Sequence, residues 1–80
     1  MAQQAINVAQ SLALYADFLQ KQIVALAPAE RNLGRITVPQ PNGVWKVYSF
    51  PQMLGEVQRR TQVGVAQAVS YANALGYVVM

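Results

Sequence analysis

The sequence contains no cysteine and no histidine, and only three acidic residues among its 80 positions. Without cysteine there is no disulfide framework, no thiolate ligand and no thiol nucleophile. Without histidine the commonest metal ligand and general base is missing as well. The three acids, Asp17, Glu30 and Glu56, are spread along the chain, so paired-carboxylate chemistry is not expected. The tyrosines Tyr15, Tyr48, Tyr71 and Tyr77 read as amphipathic packing residues rather than as acids. The glycines form no phosphate-cradling pattern. No catalytic residue, cofactor site or metal site is therefore expected, and the chain reads as non-enzymatic.

Charge is also scarce. Charged residues make up 11% of the chain, against about 25% in an ordinary globular domain. Polarity is carried instead by neutral groups, including ten glutamines. A hydrogen-bonded amide can be buried at an interface, whereas an unpaired charge cannot. Because a chain of this length buries only roughly 60 to 65% of its unfolded surface, its own core gives a thin margin of stability. Oligomerisation or docking on a larger partner is the support that remains.

The net charge of +3 comes from Lys21, Arg31, Arg35, Lys46, Arg59 and Arg60 against the three acids. Asp17 with Lys21, Glu56 with Arg59 and Arg60, and Glu30 near Arg31 and Arg35 have the spacing of local ion pairs. A phosphate-binding patch of Arg31, Arg35 and Lys46 is the competing reading. The opening Met-Ala-Gln-Gln lacks the basic region of a signal peptide, so none is expected.

The pattern predicts a mainly α fold, a two-helix antiparallel hairpin with a short β-hairpin inserted between its helices. One small domain would hold a helix over 2–27, a turn over 28–34, the β-hairpin over 35–48, a helix over 50–75 and an apolar tail over 76–80. In the first helix Ala5, Ala9, Leu12, Ala16, Leu19, Ile23 and Leu26 make a heptad seam. Pro28 stops it, and Gly34 suits the residue that closes the turn. Arg-Ile-Thr-Val and Val-Trp-Lys-Val-Tyr flank a Pro- and Asn-Gly-marked turn, as strands of a hairpin would. Within it, Trp45 and Val47 are expected to plug the hairpin onto its support.

Ser49 and Gln52 form a capping-box pattern with Pro51 in the first turn of the second helix. Leu54, Val57, Thr61, Val65, Ala68, Ala72 and Leu75 make its stripe, and Gly76 is the expected stop. Ala5, Ala9 and Ala13 of the first helix would face Gly64, Ala68 and Ala72 of the second.

Both helices have more apolar surface than one partner helix covers, and the tail is too short to fold alone. Tyr15, Phe18, Trp45, Tyr77, Val78, Val79 and Met80 are therefore expected at an interface with copies of the chain or with other structural proteins. A non-enzymatic structural subunit of a large assembly follows, with a virion or phage particle, or another extracellular assembly, as its expected location. Two alternatives come from other classes. Thr61 to Met80 is twenty residues without a charge, long enough to span a bilayer, which suits a membrane-stored or pilus-type subunit. Lys46 beside Trp45 and Tyr48 suits a nucleic-acid-binding β-hairpin.

Overall fold

The computed structural model describes residues 4–26, 34–40 and 42–80. Its first long element is set by Asn7. The Asn7 side chain accepts a hydrogen bond from the Gln10 amide at 2.8 Å, and the Gln10 side chain accepts one from the Asn7 amide at 2.9 Å. This reciprocal cap opens helix α1, Val8–Ala25. The expected start at Ala2 is thereby corrected, because Ala5–Ile6 is a strand, β1. Helix α1 buries Ser11, Leu12, Tyr15 and Leu19. The predicted turn over 28–34 lies outside the described residues except for Gly34.

Strands β2, Arg35–Pro39, and β3, Trp45–Ser49, form an antiparallel ladder in which Arg35 faces Ser49, Thr37 faces Val47 and Pro39 faces Trp45. Alternation puts Ile36, Val38 and Tyr48 on the inner face, where Val38 and Tyr48 join the core. Trp45 and Val47 point the other way and are exposed. The expected plug is thus corrected: Val38 and Tyr48 anchor the hairpin. Sequence alternation fixes which residues share a face, but either face of this ladder carries enough apolar residues to be the inner one.

Ser49 and Gln52 form the predicted capping box, with the Ser49 amide donating to Gln52 Oε1 at 2.9 Å and the Gln52 amide donating to Ser49 Oγ at 3.3 Å. Helix α2, Phe50–Gln58, follows. It ends where the sequence pattern ran on. The Thr61 amide bonds the Glu56 carbonyl at 3.1 Å and the Arg60 amide bonds the Val57 carbonyl at 3.0 Å, a Schellman closure with Arg60 in the left-handed region at φ 55°. Thr61 then caps helix α3, Gln62–Ala74, its hydroxyl accepting from the Gly64 amide at 3.0 Å. The fold is mainly α with a short antiparallel β-hairpin, but it has three helices among the described residues, so the two-helix hairpin is corrected.

Gly76, at φ 97°, closes α3 in the same way, with the Tyr77 amide on the Ala72 carbonyl at 3.0 Å and the Gly76 amide on that of Asn73 at 3.0 Å. The last strand, β4, Val78–Val79, pairs in parallel with β1. Its position brings the end of α3 back beside the start of α1. The charge-free stretch from Thr61 to Met80 is therefore a 13-residue helix, a turn and a strand. No helix among the described residues is long and apolar enough to cross a membrane.

Among the described residues the core is a single cluster drawn from every long element: Leu12, Tyr15 and Leu19 of α1, Val38 and Tyr48 of the hairpin, Met53 and Val57 of α2, and Ala68 of α3. The expected apposition of small residues is only half realised. Ala68 and Ala72 are fully buried, but Ala9 and Ala13 are exposed, Ala5 belongs to β1, and Gly64 packs on α2.

Candidate interaction surface

The β-hairpin carries three of the seven large hydrophobic residues that stand exposed among the described residues. Pro39, Trp45, Val47 and Thr37 share its outer face, and Val44 stands at its tip. Trp45 is 64% exposed, Val44 61% and Val47 53%. Two hydrogen bonds close the tip, the Gln40 amide donating to the Val44 carbonyl at 3.0 Å and the Val44 amide to the Asn42 side-chain Oδ1 at 3.0 Å. The exposed residues are thus displayed on a ribbon anchored from behind by Val38 and Tyr48.

The residues expected at an interface fall into three places. Tyr15 is only 2% exposed and packs in the chain's own core. Its ring lies 5.3 Å from Tyr71 and 6.1 Å from Phe18, and Phe18 lies 4.9 Å from Tyr71, so Tyr15 and Phe18 belong to an internal aromatic trio. Burial pushes the Tyr15 hydroxyl up to about 12, with Tyr71 adding to the effect, and its oxygen has no hydrogen-bond partner among the described residues. Trp45 lies on the hairpin's outer face. Tyr77 and Val79 are half-buried, whereas Val78 and Met80 are exposed along β4.

Of the three candidate phosphate contacts, the two that are described, Arg35 and Lys46, are not brought together. Arg31 lies outside the described residues. Arg35 is on the outer face at the base of the hairpin, opposite Ser49. Lys46 is on the inner side, its ammonium 5.2 Å from the centre of the Tyr48 ring. Two of the acids are locally neutralised, Asp17 by Lys21 and Glu56 by Arg59, each at 2.9 Å. Asp17 raises the Lys21 ammonium above its ordinary range. The Thr61 hydroxyl and the Arg59 guanidinium hold the Glu56 carboxyl below its ordinary range.

Sequence reasoning singled out Trp45 but missed Val44 and Val47 as surface residues. It also missed a groove of about 430 Å³ between β3 and α2, lined by Lys46, Tyr48, Gln52, Glu56 and Arg59 among others. The available signal was the alternation of Val47 with Lys46 and Tyr48, since only one of those two sets can face the helices. Comparison with protein-family models, with curated proteins and with solved structures finds no match.

Proposed function

We propose that the chain is a non-enzymatic structural subunit of a multi-subunit assembly, of which a virion or phage particle is the kind its composition suits. The observation that carries this reading is the outer face of the hairpin. On it the Trp45 ring and the Val47 side chain stand more than half exposed, with Val44 exposed at the tip, on a ribbon that is itself pinned to the core by Val38 and Tyr48. Exposed apolar residues gathered on one rigid element mark protein contact more often than scattered ones do. The low charge and the abundance of side-chain amides support the same reading, since both lower the cost of covering a surface.

The test is the mass of the purified chain in dilute, detergent-free buffer, by light scattering coupled to size exclusion. A defined mass several-fold above that of one chain, lost on Trp45→Ser, is expected. A chain that stays monomeric at every concentration, and that Trp45→Ser leaves unchanged, would overturn self-assembly through this face.

A further inference from the structure

The edge of the hairpin carries chemistry distinct from that of its face. Two end bonds set the phase of the ladder, the Gln40 amide on the Val44 carbonyl and the Phe50 amide on the Gly34 carbonyl, each at 3.0 Å. Alternation then makes Val38–Lys46 and Ile36–Tyr48 the pairs that exchange backbone hydrogen bonds, and turns the backbone groups of Trp45, Val47 and Ser49 outward. Ser49 is already used: its amide donates to Gln52 Oε1, and as N-cap its carbonyl takes the first bond of α2. Among the described residues nothing else bonds the two amides and two carbonyls of Trp45 and Val47, which stand on an open edge. On the opposite edge Pro39 has no amide hydrogen to offer.

We propose that this edge of β3 is the docking site for an extended segment of a partner protein in which an acidic residue is flanked by apolar ones. The proposal rests on the assembly role above and names the chemistry of one of its contacts. A strand laid against β3 takes up the backbone groups of Trp45 and Val47. Its residue between those two pairs faces Lys46 in a non-hydrogen-bonded pair, where side chains approach most closely. There, among the described residues, the groove holds Lys46 and Arg59 against one acid, Glu56, which Arg59 already engages at 2.9 Å. One positive charge is left to match. The neighbouring residues of the added strand fall opposite Trp45 and Val47, where aromatic and β-branched cross-strand pairs are favourable.

A second copy of β3 fits less well. The twofold pairing that uses all four free groups sets Trp45 against Val47 of the other copy, and Lys46 directly against Lys46. Centring the pair on Val47 removes that clash but demands the Ser49 groups that cap α2. Lys46 therefore discourages self-pairing, as a lysine on an open edge does, while selecting an acid. Nucleic acid is disfavoured because Arg35 and Lys46 lie on opposite faces and Arg35 shares its face with the exposed apolar Trp45 and Val47.

The experiment titrates the ¹⁵N-labelled full chain with a ten-residue peptide alternating valine and glutamate. The comparators are a valine–lysine peptide, a valine–glutamate peptide with prolines in place of alternate valines, and a ten-nucleotide single-stranded DNA. The acidic peptide is expected to shift and protect the Trp45 and Val47 amides, to weaken with salt, and to bind about fivefold or more tightly than the basic one. Lys46→Glu, checked for retained helix by circular dichroism, is expected to reverse that order, and Lys46→Gln to remove the preference. Equal binding of both charged peptides, equal binding of the proline-substituted peptide, shifts confined to other residues, or a stronger response of Trp45 to the DNA would each overturn it. The readout is independent of particle mass. A large mass without a peptide response sinks the edge and leaves the assembly role standing.

Discussion

Gly64 lies so close to Glu56 that a β-carbon on the glycine would sit 2.5 Å from the Glu56 carbonyl oxygen and 2.8 Å from the Val57 nitrogen. The two helices α2 and α3 therefore meet backbone to backbone just beyond their turn. Gly64→Ala would ordinarily stabilise a helix by up to about 1 kcal/mol. Here the new methyl meets main chain that cannot swing aside, and overpacking of this kind costs about 1–3 kcal/mol. A net loss of stability is expected in urea unfolding, with the α2–α3 contact opened first. A variant more stable than the parent would show that the helices separate freely.

Arg60 presents the opposite case. It occupies the left-handed position of the closure between α2 and α3, at φ 55°, where glycine is the usual residue. A side chain there costs about 1–2 kcal/mol, partly offset by the greater unfolded entropy of glycine. Arg60→Gly is expected to raise the thermal midpoint by a few degrees. Arg60 makes no ion pair among the described residues, so no compensating loss is expected.

The Tyr15 hydroxyl is buried without a hydrogen-bond partner among the described residues. Leaving a buried polar group unpaired costs about 1–3 kcal/mol, so Tyr15→Phe is expected to stabilise the fold. The pH dependence has a definite sign. The folded chain holds the phenolic proton up to about 12, above the ordinary value of 10.0. Above pH 10 the unfolded chain therefore releases this proton more readily, and stability falls as pH rises from 10 towards 12. Tyr15→Phe should make that fall shallower, measured by urea midpoints across the interval.

The segments 4–6 and 78–80 are tied to one another. The Val78 amide bonds the Gln4 carbonyl at 3.0 Å and the Met80 amide bonds that of Ile6 at 2.9 Å. Ile6 is buried behind this pairing. Removing 78–80 deletes both bonds and uncovers Ile6, a loss of about 2–4 kcal/mol. Faster hydrogen exchange at the start of α1 and the end of α3 is the expected signature. An unchanged exchange pattern would mean that the parallel pair contributes nothing in solution.

How far the sequence disclosed this structure depends on what each signal was made of. The Ser49–Gln52 cap and the stop at Gly76 were legible because each is a local hydrogen-bond device with its own residue types. The break between α2 and α3 was not, because Arg59 and Arg60 carry no mark of a turn. Thr61 sat on the apolar stripe and passed for part of it. Its hydroxyl, which donates to the Glu56 carbonyl at 3.3 Å and caps Gly64, was the sign that the stripe was interrupted. Asn7 and Gln10 likewise form a cap, but a continuous alanine seam hid it. The β1–β4 pairing joins residues at opposite ends of the chain, and no local pattern records such a contact.

The two faces of the hairpin separate anchoring from docking. Val38 is 1% exposed and Tyr48 is buried beside it, whereas Trp45 and Val47 stand out of the opposite face. Val38→Ala or Tyr48→Ala opens space in the core and is expected to cost roughly 2 kcal/mol or more. Trp45→Thr with Val47→Thr keeps residues suited to a strand and removes no core contact, so its unfolding midpoint should stay near that of the parent. Its assembled mass should nevertheless fall. Equal destabilisation by both pairs would mean that the hairpin rests on its outer face in solution. A stable Trp45→Thr, Val47→Thr chain that still assembled fully would remove the outer face from the contact and leave the exposed residues of β4 as the next surface to test.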